Sequence, residues 1–442
     1  MSEKTLIRGG CVLTLGARTP NYTTADVLVE DGLIVEVGEG LRARDAEEVD
    51  AGNAIVMPGF VDTHRHVWKS LFRNHGEVGP GEGISSDVYG PHYTAEDVYA
   101  ATLVGLLGAV EAGITTVVDW ADVEPDATHV DAALEAHRDA GMRTVLVHSM
   151  PGWVGDRQDE KAGLRRLAAR QAQAVQSSAT VAFGPRDPAQ FDLDPVARDW
   201  MLARELGMRI HTHVGSDASD RGVVSDLGER GLLGDDVTLI HCSRLGDADL
   251  DAIASTDTAV ALAPSSEMAD GMGMPPIQEL IDRGIRPGLG VDSDRIAPGD
   301  IFAQMRAANS IQHATHFDLK LAGKGSLPNL LTTREVIRFA TVDGARVAGL
   351  GPVTGSLEAG KSADIIVLRT DRPNIHPIND PIGAVVWGMD TSNVDWVFVG
   401  GKALMREGEL TGDVARARDL AMSAQRRVAE AAGLMAGTGG SG

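Results

Sequence analysis

The stretch VMPGFVDTHRHVW, residues 56–68, decides how this chain is read. An apolar run breaks at Pro58-Gly59, resumes, and ends in two histidines either side of one arginine. Side chains two apart on a strand share a face, so His64 and His66 project together and Arg65 points the other way, a structural position. Two imidazoles on one face suit a metal ion, because neutral imidazole is the commonest protein ligand for zinc and its neighbours. A lone pair of this kind also fits surface or hydrogen-bonded histidines, so the rest of the chain has to decide.

Downstream of this stretch, strand-like runs alternate with helix-like ones. The runs are ITTVVDW (114–120), RTVLVHS (143–149), TVAFGP (180–185), GMRIHTHVG (207–215), VTLIHC (237–242), AVALAPS (259–265) and RPGLGVDS (286–293). Helical segments such as AEDVYAATLVGLLGAVEAG (95–113) and DAALEAHRDAG (131–141) lie between them. Eight strands alternating with helices predict an α/β fold, a (β/α)8 barrel of the TIM type, with a doubly wound open sheet as the alternative. Residues 1–57 instead read as short β-branched strands with turns, Asp31-Gly32 among them. The same texture returns in GSLEAGKSADIIVLRT (355–370) and VDWVFVGGKALMREGEL (394–410). The expected organisation is a small β-sandwich built from residues 1–57 and 355–412 around a barrel at 58–354. A helix at 413–435 and a disordered tail at 436–442 should follow.

The 442 residues are 43% apolar, enough for a large core, and carry a formal net charge of −23. That acidity argues against nucleic acid and anionic membranes, both of which need positive surface. The two cysteines, Cys11 and Cys242, are too few for a disulfide framework or a cysteine zinc site. No signal-length apolar run opens the chain and no run of ~18 apolar residues occurs, so a cytoplasmic protein is expected.

In such a barrel the C-terminal ends of the strands face the active site. The first strand ends in His64 and His66, the fifth carries His211 and His213, the sixth ends in His241 and the eighth in Asp292. Each alone has a bland reading; their shared placement at strand ends predicts a metal site.

These motifs give the chain its resemblance. PGFVDTHRH, GITTVVDW, the HC after strand six, GLGVDS and the terminal GSLEAGKSADIIVL resemble the amidohydrolase superfamily, in its branch of cytosine, guanine and adenosine-derivative deaminases and triazine hydrolases. The resemblance spans almost the whole chain. It implies one divalent metal ion, zinc or iron, held by His64, His66, one fifth-strand histidine and Asp292. His213 is the expected fifth-strand ligand, being nearer the strand's C-terminal end and matching the second histidine of the family's pattern; His211 is then a packed neighbour. A two-metal site needs Lys or Glu on the fourth strand, and TVAFGPRD has neither.

The implied chemistry is attack by metal-activated water, with Asp292 as ligand and general base and His241 beside the reacting group. One departure matters. The family's deaminases carry Glu three residues after the fifth-strand histidine, as the acid for a ring nitrogen; here that residue is Ser216, followed by Asp217. Glu267, where the family more often has Asn, is the expected substitute acid. Trp68 and Trp120 are candidates to stack on a flat ring, and His148, Ser216 and His92 are further candidates to line the pocket. The expected activity is metal-dependent hydrolysis of a C–N bond in a nitrogen heterocycle. Alternatives are a cyclic amide or imide hydrolase, a triazine-type dechlorinase or dealkylaminase, and a non-enzymatic scaffold. The expected partner is a small heterocyclic substrate, and the expected assembly a homodimer or larger homo-oligomer.

Overall fold

The structure, a computed structural model, describes residues 3–74, 85–149, 151, 160–173 and 178–434. The expected tail at 436–442 lies outside the described residues. Eight strands form one sheet in sequential order: β1 (Phe60–Arg65), β2 (Ile114–Ala121), β3 (Arg143–Ser149), β4 (Ala179–Gly184), β5 (Ile210–Val214), β6 (Val237–His241), β7 (Ala259–Leu262) and β8 (Gly288–Leu289). Every neighbouring pair is parallel. Strands covered on both faces read as continuous apolar runs, and β2, ITTVVDWA, is buried at every position.

Closure excludes the open sheet. Arg65 and Asp292 form a parallel bridge between the two ends of the sheet. His66 N donates to the Asp292 carbonyl at 2.7 Å, and Asp292 N donates to the His64 carbonyl at 2.8 Å. The two chains come so close that a Cβ on Gly290 would stand 2.7 Å from the backbone N and O of His64. The glycines of GLGVDS are therefore what allows the barrel to close.

Inside, Val118, Val145, Val147, Ala182, Ile240 and Ala261 pack together with Ala345 and Val347 of the helix Val342–Val347. That helix seals the N-terminal end of the barrel: Thr238, near the start of β6, donates to the Val347 carbonyl. The C-terminal end is left to the polar groups described below.

The terminal segments join in one nine-stranded mixed sheet. Its seam is Ala54–Pro58, antiparallel to Ile365–Arg369. Ile7, Val27, Val56, Ile365, Val367 and Trp396 form a separate apolar cluster on it. The Pro58-Gly59 break is where the chain leaves this sheet and enters the barrel: a Cβ on Gly59 would overlap the Thr115 side chain at 2.1 Å. The last helix, Val414–Ala431, buries Ala417, Ala424 and Val428.

Candidate metal centre and active site

Two adjacent strands carry three of the candidate ligands. The β1–β2 register slips between Asp62 and Arg65. His64 lies inside β1 and His66 one residue beyond its end, where φ −90° and ψ 81° turn the chain into the 3-10 helix Val67–Phe72. His64 Nε2 is 3.4 Å and His66 Nε2 3.6 Å from the same atom, Asp292 Oδ1. The eighth-strand backbone is fixed from behind by Asp62, whose Oδ1 accepts from Val291 N at 3.0 Å. Arg65, fully buried, turns away and donates to the Gly299 carbonyl at 3.1 Å, in line with a structural position.

The fifth and sixth strands bring the remaining imidazoles. His213 Nε2 is 3.2 Å from His64 Nε2. His241 follows Ile240, whose side chain points into the barrel, so strict alternation would turn His241 outward. Instead His241 has φ 76°, Cys242 φ 62° and Asp292 φ 62°. Left-handed backbone at residues other than glycine is uncommon and concentrates at functional sites. Here it swings His241 back to the mouth, where a ring nitrogen lies within 4.8 Å of those of His64 and His213.

The electrostatics suit a cation. Burial pushes the His64 imidazolium down to about 3 and His213 well below the ordinary histidine value, so both rings are neutral with a free lone pair. Burial opposes charge on Asp292 too, but His64 and the charges of His241 and His66 outweigh it and hold the carboxylate well below its usual range. Three of the separations, 3.2 Å between His213 and His64 and 3.4 and 3.6 Å from Asp292 to His64 and His66, lie near the edge of roughly 3.3–3.6 Å of a tetrahedron built on zinc–ligand bonds of about 2.0–2.2 Å. Within 4.8 Å, His64 groups with His66 and Asp292 and also with His213 and His241. The donor set thus fits a divalent ion. β4 adds no carboxylate or amine to it.

Comparison with known proteins agrees with this geometry. Residues 55–404 match the amidohydrolase family. The chain belongs to the amidohydrolase family. Among curated relatives of this amidohydrolase, a 5'-deoxyadenosine deaminase of Methanothermobacter thermautotrophicus is 29% identical over 426 residues, covering 92% of this chain and 95% of the relative. A 5-methylthioadenosine/S-adenosylhomocysteine deaminase of Desulfitobacterium hafniense is 30% identical over 440 residues, covering 94% and 96%. The fold is shared with a zinc-bound adenosine deaminase from Xanthomonas campestris, at TM-score 0.81 and 22% identity over 96% of this chain and 98% of that one. It is shared equally with the zinc complex of an atrazine chlorohydrolase from Arthrobacter aurescens, at TM-score 0.79 and 22% identity over 95% and 100%.

Around the amidohydrolase centre the other candidates divide. Trp120 meets the His213 ring edge-on, with centroids 4.2 Å apart. Trp68 is buried against Tyr89 and Tyr93 and gives its indole N–H to Asp122 Oδ1 at 2.6 Å. The same Asp122 oxygen is 3.0 Å from His66 Nδ1, which leaves His66 Nε2 facing Asp292. Burial raises the Asp122 carboxyl, but the charge and hydrogen bond of His66 prevail and bring it to about 2. Sequence reasoning missed Asp122; the signal available was its place two residues after Trp120, at the end of β2.

His148 alternates with the inward Val145 and Val147 and therefore faces the helical layer, where its Nδ1 is 2.9 Å from the buried Glu124. His92 is exposed in the turn Gly90–His92. His211 is buried beneath His213, with neither ring nitrogen hydrogen-bonded among the described residues. Ser216 follows β5, and its N–H donates to Asp220 Oδ2 at 2.9 Å. Glu267, the expected substitute acid, lies in the first turn of the short helix Pro264–Ala269, fully buried against His241.

Proposed function

We propose that this amidohydrolase removes an exocyclic amino group from a nitrogen heterocycle by hydrolysis, with adenine nucleosides modified at the 5' position as the substrate class. The observation that carries the reading is the pair of clusters that share His64 at the C-terminal mouth of the barrel, His64 with His66 and Asp292 and His64 with His213 and His241. The substrate class rests on the names of relatives aligned over more than nine-tenths of this chain.

In this reading His64, His66, His213 and Asp292 hold one zinc or iron ion. When bound, such an ion brings the pKa of a water near neutrality and supplies the nucleophile. Asp292 takes the proton released from that water on its free oxygen and passes it to the departing amine. His213 and Trp120 wall one side of the cleft. His241 faces the reacting carbon from β6. Glu267 is fully buried and meets the site only through His241.

Ser216 favours a second reading. Its side chain cannot protonate a ring nitrogen as a carboxyl does, and the nearby Asp220 already accepts the N–H groups of Ser216 and Asp217. Cyclic amide or imide hydrolysis needs no such acid, and triazine hydrolysis is a further alternative. Assayed with known metal content, ammonia release without ring opening supports deamination; ring opening without ammonia supports the amide reading. The proposal places the catalytic barrel at residues 58–354, between the sheet-forming segments 1–57 and 355–412. It also takes the enzyme as cytoplasmic and as a homodimer or larger homo-oligomer. No described helix is long and apolar enough to cross a membrane.

A further inference from the structure

We propose that Glu267 is a positioning residue: it fixes the ring orientation and tautomer of His241 and does not itself touch the substrate. The inference rests on the reading of this site as a hydrolytic centre.

Three observations lead there. First, His241 is held in by strained backbone, φ 76°, and not by strand alternation, so its ring needs a second anchor to keep one orientation. Second, Glu267 Oε1 is 3.2 Å from His241 Nδ1 and also accepts from Ala263 N at 2.8 Å. An acceptor already engaged by a backbone N–H requires that Nδ1 carry the hydrogen. When the ring is neutral, His241 Nε2 is then the free lone pair, on the side of His64 and His213. Third, Glu267 has no measurable exposure, so its carboxylate reaches the cleft only through the imidazole. The sequence places the pair where it is needed. Pro264 opens a one-turn helix directly after β7, and the third residue after it, Glu267, turns back beneath the end of β6.

Two substitutions separate positioning from direct proton donation. In Glu267→Gln the amide oxygen can still accept from both Ala263 N–H and His241 Nδ1–H, while the ionisable carboxyl is gone. In Glu267→Leu both acceptors are lost. The positioning role predicts that Glu267→Gln keeps kcat within about tenfold of the parent enzyme. Glu267→Leu loses on the order of 10²–10⁴ in kcat, as misoriented catalytic imidazoles do, with KM and metal content little changed.

A readout free of activity accompanies it. In 15N-histidine spectra of the metal-loaded and metal-free proteins, His241 should show Nδ1–H in the parent and in Glu267→Gln, and a mixture of tautomers in Glu267→Leu. Equal kcat losses in both variants, with the parent tautomer kept in Glu267→Gln, would show that the carboxyl acts directly and overturn the proposal. A parent-like His241 signal in Glu267→Leu would overturn it as well. If no heterocycle is hydrolysed at all, the functional reading fails while the spectra still decide the role of Glu267.

Discussion

Asp122 offers a test of how the centre is held that does not depend on knowing the substrate. One of its oxygens serves both His66 Nδ1, at 3.0 Å, and the Trp68 indole N–H, at 2.6 Å. Replacement by alanine removes two distinguishable things. The first is the orientation of His66: losing a carboxylate that orients a metal-binding imidazole costs about 10–100-fold in metal affinity, or ~1.4–2.8 kcal/mol at 1.4 kcal/mol per decade. The second is the partner of a buried indole N–H, a loss of ~1–3 kcal/mol in stability. Trp68→Phe separates the terms, because it deletes the indole N–H and leaves the carboxylate on His66. Metal affinity, measured by competition with a chelator of known strength, should therefore fall 10–100-fold in Asp122→Ala and by less than threefold in Trp68→Phe. Denaturant unfolding of the metal-free proteins should show Asp122→Ala destabilised in the range given. An Asp122→Ala protein with the parent metal affinity, or a Trp68→Phe protein weakened as much as Asp122→Ala, would refute the reasoning.

Further outcomes follow from the same geometry. His213→Ala should lose bound metal, measured by elemental analysis after dialysis, whereas His211→Ala should retain it; the reverse result would exchange the two roles. Asp292→Asn should lower kcat by at least the ~10²–10⁴ of a general base, and steady-state turnover within tenfold of the parent would remove Asp292 from proton transfer. Gly290→Ala puts a Cβ 2.7 Å from the His64 backbone and should cost ~1–3 kcal/mol or more in unfolding free energy as an overpacked site, together with metal affinity; a neutral result would mean the β1–β8 seam can relax.

The barrel was legible because each strand is a short run bounded by glycine, proline or a turn, with helical periodicity between. The Pro58-Gly59 break in the opening stretch marked the change of sheet for a physical reason: Gly59 passes against Thr115 where no side chain fits. Spacing also put His64 and His66 on one side, although the ladder slips beside them and His66 lies past the strand end. What strand alternation could not supply was the mouth itself. Positive φ at His241 and Asp292 breaks the two-residue period that sequence reading relies on. The partners that hold the rings lie far off in the chain: Asp122 is 56 residues from His66, and Glu267 is 26 from His241. His148 was the opposite case, since its parity against Val145 and Val147 was available to count and places it outward. The absence of an acid at Ser216 was plain in the sequence; that Glu267 lies buried against His241 at the end of β6 needed the fold of the helix after β7.

The central claim is that four protein groups at the barrel mouth make this chain a metal-dependent deaminase. Ammonia release from a panel of 5'-modified adenine nucleosides, by protein carrying one equivalent of zinc or iron and by the same protein stripped of metal, tests it most directly. The account predicts stoichiometric ammonia and a hypoxanthine nucleoside from the loaded protein, and none from the stripped one. Ammonia at equal rates from both preparations, or none from the loaded protein across the panel while a cyclic amide is opened, would contradict it.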